Sequence, residues 1–158
     1  MDIRSDYPYP LNALSNFAPH TFQFRGVTCH SMEGLLQSFK FQNPEEQKEV
    51  CLLAGKAAKQ KGLEQDWRKT QTLWWQGNPV RRDSVEYQQM LDEAFKCLFS
   101  QSTEARKALL ATGNAMLQHS IGVTDPKETI LTTQEFCSRL MKIRTEMVPE
   151  HRPPSNRR

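Results

Sequence analysis

Thr21-Phe22-Gln23-Phe24-Arg25-Gly26-Val27-Thr28-Cys29, followed after His30 by Ser31-Met32-Glu33-Gly34-Leu35-Leu36-Gln37-Ser38-Phe39-Lys40-Phe41, changes its period part-way along. Apolar and polar residues alternate through Phe22 and Phe24, the period of a half-buried strand, and Gly26 is placed to turn the chain back into Val27-Thr28-Cys29. From Ser31 onward the apolar residues fall on one helical face instead, with Ser31 as the cap of a helix predicted to run to about Gln42. A hairpin feeding directly into a helix predicts an α+β fold. Pro8, Pro10 and Pro19 break any helix before it.

Downstream, helical patterns dominate. Asn43-Pro44-Glu45-Glu46 combines an N-cap residue, Pro at the first helical position and acids at the positive end of the dipole. It predicts one helix with Val50, Leu53, Ala54 and Ala57 on a face, stopping at Gly62. Residues 63–82, with Trp67, Trp74, Trp75, Gly77 and Pro79, read as an irregular aromatic connection. Asp83-Ser84-Val85-Glu86 has the spacing of a capping box and opens a helix whose core stripe is Tyr87, Met90, Leu91, Ala94, Leu98 and Phe99. Ser102 caps the next helix, with Leu109 and Leu110 inward and Gly113 beyond its end. Met116 to Ile121 reads as a short strand. Thr132-Thr133-Gln134-Glu135 is a further capping box, opening a last helix with Phe136, Leu140 and Ile143 inward. A helix-dominated single domain with a small antiparallel β-hairpin, over residues 1–148, is the expected architecture.

The bulk properties narrow the function. A chain of 158 residues with 37% hydrophobic content suits one domain with a real core. No stretch has the apolar length of a membrane span. The start, Met1-Asp2-Ile3-Arg4-Ser5-Asp6, is polar and acidic, unlike a signal peptide, so a cytoplasmic location is expected. The formal charge is +3, and residues 149–158 carry +2 of it through Arg152, Arg157 and Arg158 against Glu150. That Pro-rich segment reads as a disordered basic tail, and the body is left too weakly charged to track a phosphate backbone. Cys29, Cys51, Cys97 and Cys137 lie too far apart for zinc-ligand pairs and read as reduced thiols. No metal site is predicted.

Glu33, Gln37 and Lys40, spaced i, i+4, i+7, fall within about 60° of one another on a helix. A carboxylate, an amide and an ammonium therefore project in one row. The same row also fits a solvated face with a weak Glu–Lys contact. Asn16-Phe17, in a loop before the hairpin, offers a donor, an acceptor and a stacking surface, or simply a turn and a core ring. Lys56, among the small residues Ala54-Gly55 and Ala57-Ala58, and Arg82 are candidates for a phosphate. Asp83 reads better as an N-cap. His20, His30 and His119 stand isolated.

The strings Leu14-Ser15-Asn16-Phe17 and Ser31 to Phe41 resemble the NADAR (YbiA-like) family, with its S-N-F loop, short hairpin and E-x-x-x-Q-x-x-K-F helix. The likeness continues through Leu109-Leu110-Ala111-Thr112-Gly113-Asn114-Ala115-Met116-Leu117 and closes at Leu140-Met141-Lys142-Ile143-Arg144. It implies a YbiA-like fold and an enzyme that hydrolyses a ribosyl or ADP-ribosyl N-glycosidic bond. Glu33 is then catalytic, and Asn16, Phe17, Gln37, Lys40, Lys56, Arg82 and Asp125 are substrate-binding. No cofactor is implied, since this hydrolysis needs water and placed charges alone. The implied partner is a nucleotide or ADP-ribosyl small molecule, or ADP-ribosylated DNA. The likeness fails over Ile121 to Leu131, where the family's Trp-Gly loop is absent and Asp125 is the acid at hand. That departure keeps open a binder that sequesters an ADP-ribose-derived nucleotide without cutting it, and a structural or interaction domain.

Overall fold

Helix α2, Met32–Ser38, is wedged between the two halves of the chain, and a computed structural model describing residues 1–147 shows how. Ser31 caps it: its Oγ accepts from the Gly34 N–H at 2.9 Å and donates to the Leu53 carbonyl at 2.8 Å. That second bond ties the helix start to a break in the following helical segment. In place of one helix over 44–62 there are two, α3 (Pro44–Cys51) and α4 (Gly55–Gly62). The break frees the Cys51 carbonyl for the His30 N–H at 2.9 Å and the Leu53 carbonyl for Ser31. Gly34 is required here, because a Cβ would lie 2.4 Å from the Leu53 oxygen. Gly55, at φ +54, restarts the chain as α4, and Ala58 rather than Ala57 turns inward. Asn43 caps α3 through Glu46 N–H at 3.0 Å, with Pro44 at the first position.

The expected hairpin is present as β1 (Phe22–Phe24) and β2 (Val27–Cys29), with Phe22 opposite Cys29 and Phe24 opposite Val27. Its two turn residues, Arg25 and Gly26, both have positive φ, the geometry that suits a two-residue hairpin loop. Before it, a single turn, α1 (Leu11–Leu14), starts directly after Pro10, so the prolines restrict helix there without removing it.

Helix α2 ends at Ser38, earlier than predicted. Phe39 and Phe41 are both fully buried, and the chain bends to put both inward. The Phe39 carbonyl then accepts the Trp74 N–H at 2.7 Å. Trp74 belongs to a second hairpin, β3 (Thr72–Trp75) and β4 (Asn78–Arg81), in the region expected to be irregular. Pro79 is tolerated opposite Trp74 because the Trp74 N–H and carbonyl face away from β4, toward Phe39 and Gln47. The turn is Gln76-Gly77, again with both φ positive.

Helix α5 (Val85–Gln101) is the spine, with the predicted stripe from Tyr87 to Phe99 buried. Its cap is Ser84, bonded to the Tyr87 N–H at 3.1 Å, and Asp83 pairs with Arg81 instead. Ser102 caps α6 (Thr103–Ala111), where Leu109 is buried but Leu110 is 44% exposed. Residues 116–121 form no strand. They make one parallel bridge, Asp2 to Gln118, and Met116 stays exposed. The Thr132/Glu135 capping box closes as predicted, Thr132 N–H to Glu135 Oε1 at 2.8 Å and Glu135 N–H to Thr132 Oγ1 at 3.0 Å, and opens α7 (Thr133–Met147). Seven helices and two small antiparallel sheets thus make one domain among the described residues. None of these helices is long and apolar enough to cross a membrane. The basic tail expected over 149–158 lies outside the described residues.

Candidate active site

The first residues of α2 have N–H groups with no partner inside the helix. The Glu33 N–H finds one in the Asn16 carbonyl, at 2.9 Å, so the Ser15-Asn16-Phe17 loop is latched to the start of the helix. Ser15 shapes that loop by accepting the Phe17 N–H at 3.2 Å. Phe17 then reaches the start of α4, with its ring 3.8 Å from where a Gly55 Cβ would stand.

Between loop, α2 and α4 lies a cavity of about 320 Å³, and Asn16, Phe17, Glu33, Gln37 and Lys40 all border it. Five residues selected from two separate strings of sequence therefore meet at one space. Inside it, Gln37 Nε2 donates to Glu33 Oε2 at 2.7 Å. The other amide atom, Gln37 Oε1, is buried without a partner. It lies against Gly62, where a Cβ would be 1.7 Å away, so α4 approaches α2 this closely only because residue 62 has no side chain.

The electrostatics follow from the enclosure. Burial pushes the Glu33 carboxyl above the ordinary carboxylate range, against the opposing pull of the Gln37 bond and of the charges on Lys59, Lys40 and His119. Burial likewise lowers the Lys40 ammonium, opposed by Glu33 and assisted by the like charges of Arg68 and Lys59. A carboxylate more basic than usual thus shares the cavity with a Lys40 ammonium that has lost part of its hydration.

The remaining sequence candidates are elsewhere. Lys56 is exposed and does not border the cavity; Lys59, one turn further along α4, does. Arg82 is 2% exposed, in a bidentate pair with Glu135 at 3.0 and 2.7 Å and a 2.9 Å bond to the Thr129 carbonyl. It is a buried ion pair that does not border the cavity. Asp125 lies outside the cavity and shapes its own loop by accepting the Lys127 N–H at 2.9 Å. Conversely Lys59, Trp67 and His119 border the cavity and were not singled out. Lys59 shares its helix with the selected Lys56, so the helical register was the missing signal. His119 is brought in by tertiary structure alone.

The Bacteriophage protein GP30.3 family matches residues 8–145. The chain belongs to that family. A relative, the "Uncharacterized 17.1 kDa protein in Gp30-rIII intergenic region" of Enterobacteria phage T4, is 36% identical over 152 residues, 93% of this chain and 98% of that protein. Among solved structures, the NMR structure of the E. coli protein YbiA superposes with a TM-score of 0.62, at 21% identity, covering 98% of this chain and 90% of that one. This GP30.3-family chain therefore has the YbiA-like fold that its sequence resemblance implied.

Proposed function

We propose that this protein hydrolyses a ribosyl or ADP-ribosyl N-glycosidic bond, with Glu33 as the catalytic carboxylate. The observation that carries this reading is the convergence of Glu33, Gln37, Lys40, Asn16 and Phe17 on one cavity. Breaking the bond from C1′ to nitrogen passes through an oxocarbenium-like state, positive at C1′ and the ring oxygen. A carboxylate held close stabilises that charge and takes a proton from the attacking water. The raised basicity of Glu33 suits both tasks. Gln37 fixes its rotamer, Phe17 stacks on the base, Asn16 reads the base or sugar, and Lys40 with Lys59 favours an anionic group such as a phosphate.

The test is release of free base from N-ribosyl and ADP-ribosyl substrates by the full chain, followed by chromatography across pH, with calorimetry on ADP-ribose alongside. Turnover requires ionised Glu33, so the rate is expected to fall as pH drops through its raised pKa. The acidic limb should lie above the ordinary carboxylate range. Absence of base release from every substrate would overturn the reading.

Gly62 gives a second measurement on the same site. In Gly62→Ala the new Cβ displaces the Gln37 amide and breaks its bond to Glu33. A hydrogen bond to a charged group contributes roughly 1.5–3 kcal/mol, so turnover is expected to fall by at least about tenfold. The melting temperature should fall too, because the new Cβ overpacks the buried contact between α4 and α2, which typically costs about 1–3 kcal/mol. Unchanged turnover would remove Gln37 from the site.

One observation favours a second reading, a nucleotide-sequestering protein. Asp125, the acid available from the divergent loop, is outside the cavity. Tight binding of ADP-ribose without base release would select that alternative.

A further inference from the structure

His119 borders the same cavity as Glu33, and one of its nitrogens is already committed. Nδ1 lies 2.8 Å from the Ile3 carbonyl oxygen. A carbonyl only accepts, so Nδ1 carries a proton and Nε2 is where the ring gains or gives up its second one. Nε2 has no hydrogen-bond partner among the described residues. It is also not sealed in protein, since among the described residues the only fully buried side-chain nitrogen or oxygen atoms left unpaired are His20 Nδ1 and Gln37 Oε1.

The ring is held with care for an isolated histidine. Ile3 is fully buried, and its N–H bonds the Gln118 carbonyl at 2.8 Å, while Gln118 N–H returns to the Met1 carbonyl at 2.8 Å. Asp2 clamps the next residue, taking the Ser120 N–H at 2.8 Å. The Phe136 ring meets the imidazole edge to face, with centroids 5.4 Å apart. Gly122 leaves the space for it, since a Cβ there would be 2.5 Å from His119 Cδ2, the carbon next to Nε2. A strap, a ring and a glycine fix Nδ1, and Nε2 is left without a partner on a ring that borders the cavity.

We propose that His119 is the proton donor to the leaving base, acting through Nε2, and that the preferred substrates are N-glycosides whose base departs as a neutral N–H heterocycle. This rests on the glycosidase reading of Glu33. The balance is simple. The C1′–N bond breaks with its electron pair going to nitrogen, and imidazolium Nε2–H supplies the proton there. Water delivers hydroxide to C1′ and its second proton to Glu33. Exchange with solvent returns that proton from Glu33 and recharges Nε2, so both groups end as they began.

A proton donor is needed only when the leaving group requires a proton. A pyridinium N-riboside 5′-phosphate releases a neutral pyridine without one, whereas a purine or pyrimidine N-riboside 5′-phosphate does not leave as easily unprotonated. His119→Asn keeps an amide N–H in the place of Nδ1 and has nothing at Nε2. The expected result is a loss of about 10²-fold in kcat on the purine or pyrimidine substrate, with a near wild-type rate on the pyridinium substrate. Glu33→Gln should lose both. If the wild type hydrolyses both substrates and His119→Asn is slowed equally on each, the donor role is overturned while the glycosidase stands. If the wild type hydrolyses neither, the glycosidase reading fails and this inference with it. Should His119→Asn not fold, His119→Gln is read in the same way.

Discussion

Glu33→Gln is expected to lower turnover of an N-ribosyl substrate by about 10³-fold while leaving the protein folded and no less stable. The substitution is nearly isosteric, and the new amide oxygen can still accept from Gln37, so the row on α2 keeps its shape. What disappears is the negative charge that would face C1′ and the base that would take the proton of water. The stability half of the expectation has the opposite sign from the catalytic half. Burial raises the Glu33 pKa in the folded state. The native state therefore holds a proton to higher pH than the unfolded chain, and stability declines as pH rises through the folded value. Gln removes that penalty, so the melting temperature above the folded pKa should rise, and its decline between the unfolded and folded values should flatten. A variant with intact turnover would sink the mechanism. A variant that melts markedly earlier would mean the carboxylate is a structural partner instead.

The same burial explains which parts of the protein were legible in sequence. Caps are local, and Ser31, Asn43, Ser102 and the Thr132/Glu135 box each satisfy N–H groups within a few residues of themselves. Spacing therefore reveals them. The break between α3 and α4 is not local. Its cause is the docking of Ser31 and Gly34 onto the Leu53 carbonyl, some twenty positions away, and nothing in the run from Val50 to Ala57 announces it. The β3–β4 hairpin was obscured for a different reason. Gln76 takes a positive φ normally left to Gly or Asn, and Pro79 argues against a strand until its non-bonded register is known.

The site divides along the same line. Glu33, Gln37 and Lys40 share one helix, so their convergence is a matter of period, and Asn16 and Phe17 follow from the S-N-F string. Lys59 and His119 reach the cavity through packing of α4 and the 116–123 segment, which no local pattern specifies. Arg82 shows the converse. A basic residue that looked free for phosphate is consumed by an acid fifty-three positions away.

That ion pair carries the largest expected effect on stability. Arg82 joins the end of β4 to the first turn of α7, and its guanidinium also lies 4.9 Å from the Tyr87 ring centroid. Burial alone would push the Glu135 carboxyl up, but the bonds from Arg82, the Thr132 N–H and Gln88 outweigh it and hold the group below the ordinary range. Its stabilising contribution is therefore present above the unfolded carboxylate pKa and is lost as pH falls through the depressed folded value. Arg82→Met takes the cation from the part-buried Glu135 carboxylate and leaves it only the Thr132 N–H and Gln88; breaking a buried pair in this way typically costs about 3–5 kcal/mol, or roughly 10 °C in a domain of this size. Adding Glu135→Gln should recover much of that loss, because Gln is neutral and still closes the capping box on the Thr132 N–H. Thermal melts of the two single variants and the double variant decide this. A double variant no more stable than Arg82→Met would place the cost in the lost bond to the Thr129 carbonyl, not in the stranded charge. Thr129 to Leu131 border the cavity, and Arg82 and the Tyr87 hydroxyl hold the carbonyls of Thr129 and Ile130. Weaker substrate binding should therefore accompany the loss of stability, even though Arg82 never reaches the substrate.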